Sequence, residues 1–195
     1  FVSHNMAAVS QLCSTGLLLC AGKALSHGHI SDVIIQYHES KRTQVENSLL
    51  GKPRIPFILQ DAKITALSVT AQNISISLHL SFASHPISRP LFIAIDVNTW
   101  TGVTIAQAIP HYGPFLRLDH PRGTAITITL LLPPLIPGTY YLTLWLGHSH
   151  AECFAQFDDL LSFEIDASPT EGRIYPHSPS HGFIVPPSYV KCVVS

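Results

Sequence analysis

From Asn73 to Phe82 the chain alternates without a break: Ile74, Ile76, Leu78, Leu80 and Phe82 on one parity, Ser75, Ser77, His79 and Ser81 on the other. Successive side chains of a strand point to opposite faces, so this segment reads as a strand with one core side and one wet side. The same period-two grammar begins at Asp61. It predicts further strands at 61–70, 91–100, 103–109, 124–132, 139–147, 161–166 and 182–186, separated by turns that carry Pro and Gly. Short strands at this spacing predict an all-β fold, an immunoglobulin-like β-sandwich. The Cys, Trp, Cys framework of antibody domains is missing, so the likeness is one of architecture.

The first third of the chain follows a different rhythm. Met6, Val9, Leu12 and Cys13 share one helical face after Ser3, His4 and Asn5, which predicts a helix over 5–13. Gly16 to Gly28 reads as two short strands around a Gly22-Lys23 turn. A second helix is expected from Ser31 to about His38, packed through Val33, Ile34 and Tyr37. From Glu39 to Pro56 periodicity fades and polar residues dominate, which marks a linker. The expected organisation is a short α/β unit at 1–38, a linker at 39–57 and the sandwich at 58–195.

Composition sharpens this picture in three places. With 195 residues, 46% of them apolar, there is material for one complete core and a remnant of a second unit. Asp, Glu, Lys and Arg make up only 12% and the formal net charge is −1, against roughly 25% charged residues in an average chain. Bulk electrostatic capture of nucleic acid or of an acidic membrane is therefore not expected. The four cysteines show no Cys-x-x-Cys spacing and read as free buried thiols of a reducing compartment, with an isolated disulfide as the alternative. The apolar run at Leu17–Cys20 has no Lys or Arg in the flank before it and is too short to span a bilayer, so a cytoplasmic location is expected.

Candidate chemistry gathers on the strand at 139–147. With Tyr140, Leu142, Leu144 and Leu146 assigned to the core, Tyr141, Thr143 and Trp145 face outward. Neighbouring strands are expected to bring Asp96 and Asn98 on one side, and Ser162 and Glu164 on the other. Aromatic faces bordered by carboxylates, amides and hydroxyls suit the stacking and hydrogen bonding that a sugar ring requires. The competing reading is that Tyr141 and Trp145 lie under a long loop or a partner. Trp100 is either a second platform or a turn-packing residue. The opposite sheet face, with Ser75, Ser77, His79, Thr127 and Thr129, has no aromatics and reads as ordinary wet surface.

Twelve histidines call for a metal test, but His27-x-His29 and His148-x-His150 have no further ligand at familiar spacing, and no metal is expected. Asp96, Asp158, Asp159 and Glu164 are carboxylates from which a glycosidase pair can be imagined, though their separation decides that mechanism. No catalytic residue is assigned.

The stretch Phe1-Val-Ser-His4-Asn-Met-Ala-Ala-Val, followed by Leu12-Cys13, Leu17–Leu19, Gly22-Lys23 and Gly28, resembles the end of ABC-transporter ATPase domains. The resemblance matches His4 to the switch histidine near the γ-phosphate. No Gly-x-x-x-x-Gly-Lys-Ser/Thr loop and no magnesium-holding acidic residue after a strand occur, so the chain as given is not expected to bind or hydrolyse ATP. With Phe1 in place of Met, the chain is expected to be a truncated or processed piece.

Residues 58–188 resemble the C-terminal domain of Wzt-type ATPase subunits, which belong to ABC exporters of O-antigen polysaccharide. The resemblance rests on Ile64–Val69, on Pro137–Gly147, on Leu161–Ile165 and on His181-Gly-Phe-Ile-Val-Pro-Pro187. It implies non-catalytic recognition of the exported polymer, with no cofactor, and the outward face that alternation gives, with Trp145, Tyr141, Thr143, Asp96, Asn98 and Glu164, is the expected site. It also implies a homodimer, a membrane subunit of the exporter as partner, and a place at the inner face of the cytoplasmic membrane. The strand at 182–186 is expected to help pair two copies. The alternative is a pairing or interaction module with no glycan site.

Overall fold

A computed structural model describes residues 6–49, 59–83, 91–110, 120, 122–148 and 152–191. A short helix α1 (Met6–Leu12) leads into a hairpin of β1 (Thr15–Cys20) and β2 (Lys23–His29), and helix α2 (Ile30–Leu49) follows. Ala21 and Gly22 make the hairpin turn with φ of 48° and 78°, the left-handed pair that a two-residue connection needs. Then come β3 (Leu59–Val69), β4 (Ile74–Phe82), β5 (Phe92–Thr99), β6 (Thr104–Ala108), β7 (Thr124–Leu132), β8 (Gly138–His148) and β9 (Glu152–Ile165). A 3-10 turn at Pro179–His181 lies near the end.

The seven strands from β3 onward form two antiparallel sheets, β3-β4-β7 and β6-β5-β8-β9, as expected for a β-sandwich. Their inner faces meet in one apolar core. Ile74, Ile76, Leu78, Leu80 and Phe82 of β4 face Ile93, Ile95 and Val97 of β5 and Leu142, Leu144 and Leu146 of β8. Each such buried side chain contributes about 1.5–3 kcal/mol relative to exposure. Tyr140 is also buried, and its hydroxyl donates to the Ile136 carbonyl at 2.8 Å. Burial pushes its phenol up from 10.0 to about 12. The wet side of β4 is as expected: Ser77 pairs with Thr129 and His79 with Thr127 across the sheet, all at least partly exposed.

Three local expectations are corrected. Helix α2 does not stop near His38 but runs to Leu49. Glu39 to Leu49 contains no Gly or Pro and is rich in Glu, Lys, Arg and Gln, which propagate a helix without any apolar stripe; residues 50–57 of the expected linker lie outside the described residues. The strand foreseen at 161–166 starts at Glu152, because an irregularity in its middle hides the alternation. The strand foreseen at 182–186 is a single bridge, Leu135 to Ile184. Val185 donates to the Pro134 carbonyl and Phe183 accepts from Ile136, so these backbone groups are used within the chain rather than left for a neighbour's sheet.

Cys13 and Cys20 are half-buried and Cys153 is exposed, so full burial was the wrong expectation for these three, and Cys192 lies outside the described residues. Among the described residues, no three His, Cys, Asp or Glu side chains are placed to share a metal ion. No described helix is long and apolar enough to cross a membrane.

Candidate functional site

The outer face of the four-stranded sheet carries the sequence-predicted residues, and its register decides which of them meet. Asp96 of β5 sits opposite Thr143 of β8, and Asn98 opposite Tyr141. On the other edge of β8, Tyr141 pairs with Ser162, Trp145 with Gln156, and Thr139 with Glu164. The flanking of β8 by the Asp96 and Glu164 strands is thus as foreseen.

Helix α2 covers part of this face. Its buried positions, Ile30, Val33, Ile34 and His38, recur at three- and four-residue steps and make one side of the helix. The hairpin comes close enough to α2 that a Cβ on Gly16 would stand 2.9 Å from Ile30 Cδ1. Further along, the His38 ring stacks on the Tyr141 ring, with centroids 4.4 Å apart and planes at 19°. Tyr141 is left 7% exposed. It faces outward from the sheet as predicted, yet it is no open platform, because this chain's own helix lies on it.

His38 is itself 3% exposed and fully engaged. Its Nε2 donates to the Trp100 carbonyl at 3.0 Å, and its Nδ1 meets Asp159 Oδ2 at 2.8 Å. Since a carbonyl only accepts, the Nε2 proton is fixed, and the Nδ1 contact holds one further proton between imidazole and carboxylate. Trp100 therefore serves the turn after β5 and the anchoring of α2.

Asp159 owes its position to a bulge. Leu142 pairs with Leu161 and Leu144 with Phe157, so Asp158, Asp159 and Leu160 all stand opposite Thr143. Asp159 takes a left-handed φ of 52°, a conformation that Asp tolerates better than most residues, and its backbone N–H donates to Thr143 Oγ1 at 3.1 Å. The bulge turns two adjacent carboxylates toward the outer face. Alternation alone would have sent one of them into the core.

Between α2 and the sheet lies a cavity of about 250 Å3. Its floor holds Asp96, Asn98, Thr104 and Thr143, and the bulged strand adds Gln156, Asp158 and Asp159. Tyr37 and His38 of α2, with Met6 of α1, form the opposite wall. The floor is wired internally. Asn98 donates to Thr143 Oγ1 at 3.0 Å and accepts from Thr104 Oγ1 at 2.7 Å. Asp96 Oδ1 accepts from Gln107 at 2.8 Å, and Asp158 Oδ1 from Gln156 at 2.7 Å. Such bonds hold side chains in one orientation before any ligand arrives.

Of the residues predicted for this site, Asp96, Asn98 and Thr143 come together in the cavity. Trp145 stands beside it, half-buried, on the same face and opposite the lining residue Gln156, with its ring edge-on to Phe92 at 5.9 Å. Glu164 is exposed and sits four residues along β8 from Thr143, about 13 Å at the strand rise, with Tyr141 and its helical cover between. His4 lies outside the described residues. The sequence reading missed Tyr37, His38, Gln156, Asp158 and Asp159 as parts of one site. The Asp158-Asp159 pair inside a strand pattern was the available signal, since two adjacent carboxylates cannot both face solvent there without a bulge.

No family model matches the chain, and no curated protein matches it in sequence. Among solved structures it is similar to the C-terminal domain of wzt, with 15% identity over 73% of this chain and 90% of that one and a TM-score of 0.46. It is also similar to a putative beta-galactosidase from Bacteroides fragilis, with 14% identity over 54% of this chain and 16% of that one and a TM-score of 0.36. A beta-glucuronidase from glycoside hydrolase family 2 follows, with 11% identity over 54% of this chain and 11% of that one and a TM-score of 0.37.

Proposed function

We propose that this chain binds a glycan without altering it, and that it serves as the polysaccharide-recognition part of an ABC exporter's ATPase subunit, with O-antigen as cargo. The observation that carries the glycan reading is the cavity over Asp96, Asn98 and Thr143, whose side chains are held in place by one another. At about 250 Å3 it is near the lower end of ligand pockets, about 300–1,000 Å3 for drug-sized molecules, and suits one sugar ring. Trp145 beside it supplies a face for a second ring. The exporter context comes from the sequence resemblance at both ends of the chain. Tethering such a site to a transporter would turn loading of the polymer into an intramolecular step.

Titration with the polysaccharide of the source organism, followed by calorimetry and tryptophan fluorescence, tests this reading. Saturable binding that is lost on Asn98→Ala and weakened by Trp145→Ala, both folded by circular dichroism, is the expected result. Absence of binding across millimolar glycan would refute it.

A second reading, an interaction module, is favoured by one observation. Leu12, Leu17, Leu19 and Leu25 of the N-terminal segment are 72%, 54%, 63% and 56% exposed, an apolar group that water does not favour. That reading expects concentration-dependent self-association by sedimentation, indifferent to sugars.

A further inference from the structure

The hydrogen-bond accounting of the cavity is lopsided. Asp96, Asp158 and Asp159 each use one carboxylate oxygen, on Gln107, Gln156 and His38. Among the described residues their other oxygens have no partner. Asn98 gives one amide hydrogen to Thr143 and accepts one bond from Thr104, and Thr143 Oγ1 already accepts from Asn98 and from the Asp159 N–H. The Thr143 hydroxyl proton then finds no acceptor among the described residues. Thr143 and Asp159 are 5% and 6% exposed, so their open valences, a donor on Thr143 and an acceptor on Asp159, are buried ones and costly to leave unmet.

Charge points the same way. The Asp159 charge is balanced within its pair with His38, while Asp96 and Asp158 have no cationic partner among the described residues. No lysine or arginine lines the cavity among the described residues. The three open carboxylate oxygens favour a ligand that brings donors, and such a ligand gains from positive charge.

We propose that the cavity selects sugars rich in donors, with a free, protonated amine preferred over a neutral ring, and rejects uronic acids and phosphorylated sugars. The proposal rests on the glycan reading above and adds the chemical class of its ligand. A carboxylate or phosphate placed here would face two uncompensated aspartates with no guanidinium or ammonium to receive it. An ammonium would meet partly solvated carboxylates, for which exposed ion pairs set the scale, up to about fivefold in affinity.

Three trimers of the same β1,4-linked backbone separate the classes: glucosamine, glucose, and glucose oxidised to the C6 carboxylate. Calorimetric titration of the whole chain at pH 6 and low salt is expected to rank them amine, then neutral by about fivefold, with the carboxylate trimer not saturating. In the double variant Asp96→Asn with Asp158→Asn, the amine and neutral trimers should fall within about twofold of each other. Urea unfolding of that variant confirms its fold. A carboxylate trimer that binds as well as the neutral one overturns the proposal, and so does an amine preference that survives the double variant or an amine trimer that does not saturate. The source polysaccharide, titrated alongside, tells the failures apart: if it binds, only the charge selection is lost; if it does not, the glycan reading falls as well.

Discussion

His38 ties helix α2 to the sheet through two hydrogen bonds and a stacked ring, and replacing it has a calculable effect. His38→Ala removes the bond to the Trp100 carbonyl, the bond to Asp159 and the ring stacked on Tyr141. A neutral hydrogen bond contributes about 1 kcal/mol and one to a charged group about 1.5–3 kcal/mol, so the two together come to roughly 2.5–4 kcal/mol. An independent route agrees: truncating one partner of a buried ion pair costs about 3–5 kcal/mol, because the remaining charge stays buried and alone. We expect His38→Ala to lose about 3 kcal/mol in urea unfolding followed by circular dichroism. That is a large part of the roughly 5–15 kcal/mol available to a domain. His38→Asn, whose amide nitrogen can take the place of Nδ1 against Asp159, should recover part of the loss. In a double-mutant cycle, Asp159→Asn should couple to His38→Ala by more than about 1 kcal/mol. A loss below about 1 kcal/mol, or additivity of the two changes within about 0.5 kcal/mol, would refute the account of this contact.

Two further outcomes follow from the same coordinates. Tyr140, raised to about 12 in the folded chain against 10.0 unfolded, keeps its contribution below pH 10 and loses it as pH climbs toward 12; in that window stability should fall by ~2–3 kcal/mol. Tyr140→Phe should flatten that part of the pH profile, measured by urea midpoints, and an unchanged slope would count against phenol burial as its cause. Gly123 has φ of 83°, and a Cβ there would stand 2.5 Å from the Phe82 carbonyl oxygen, so Gly123→Ala should destabilise by about 2–4 kcal/mol. A urea midpoint equal to wild type would show that the 120–124 turn rearranges freely.

Most of the sandwich was legible because its core strands are half-wet. In β4 every second residue is apolar, and the same parity places Ile93, Ile95 and Val97 inward and Asp96 and Asn98 outward. Parity is a local property, transmitted by the strand pleat alone. The extension of α2 past His38 was missed because a polar stretch with only Val45 and Leu49 apolar shows no period. The first part of β9, before Leu161, was missed because its bulge shifts parity midway, so that no single alternation spans Glu152–Ile165.

What the sequence determined by itself is which side chains face out of the sheet: Tyr141, Thr143 and Trp145 with Asp96 and Asn98 alongside. What only the tertiary structure decided is which of those remain available. The docking of α2 took Tyr141 away, set His38 against Asp159, and closed a cavity over Thr143 that no alternation pattern contains. The physical reason is range. Facing is set by the backbone within a few residues, whereas covering depends on a contact such as His38 with Asp159, 121 positions apart, which exists only once helix and sheet have packed.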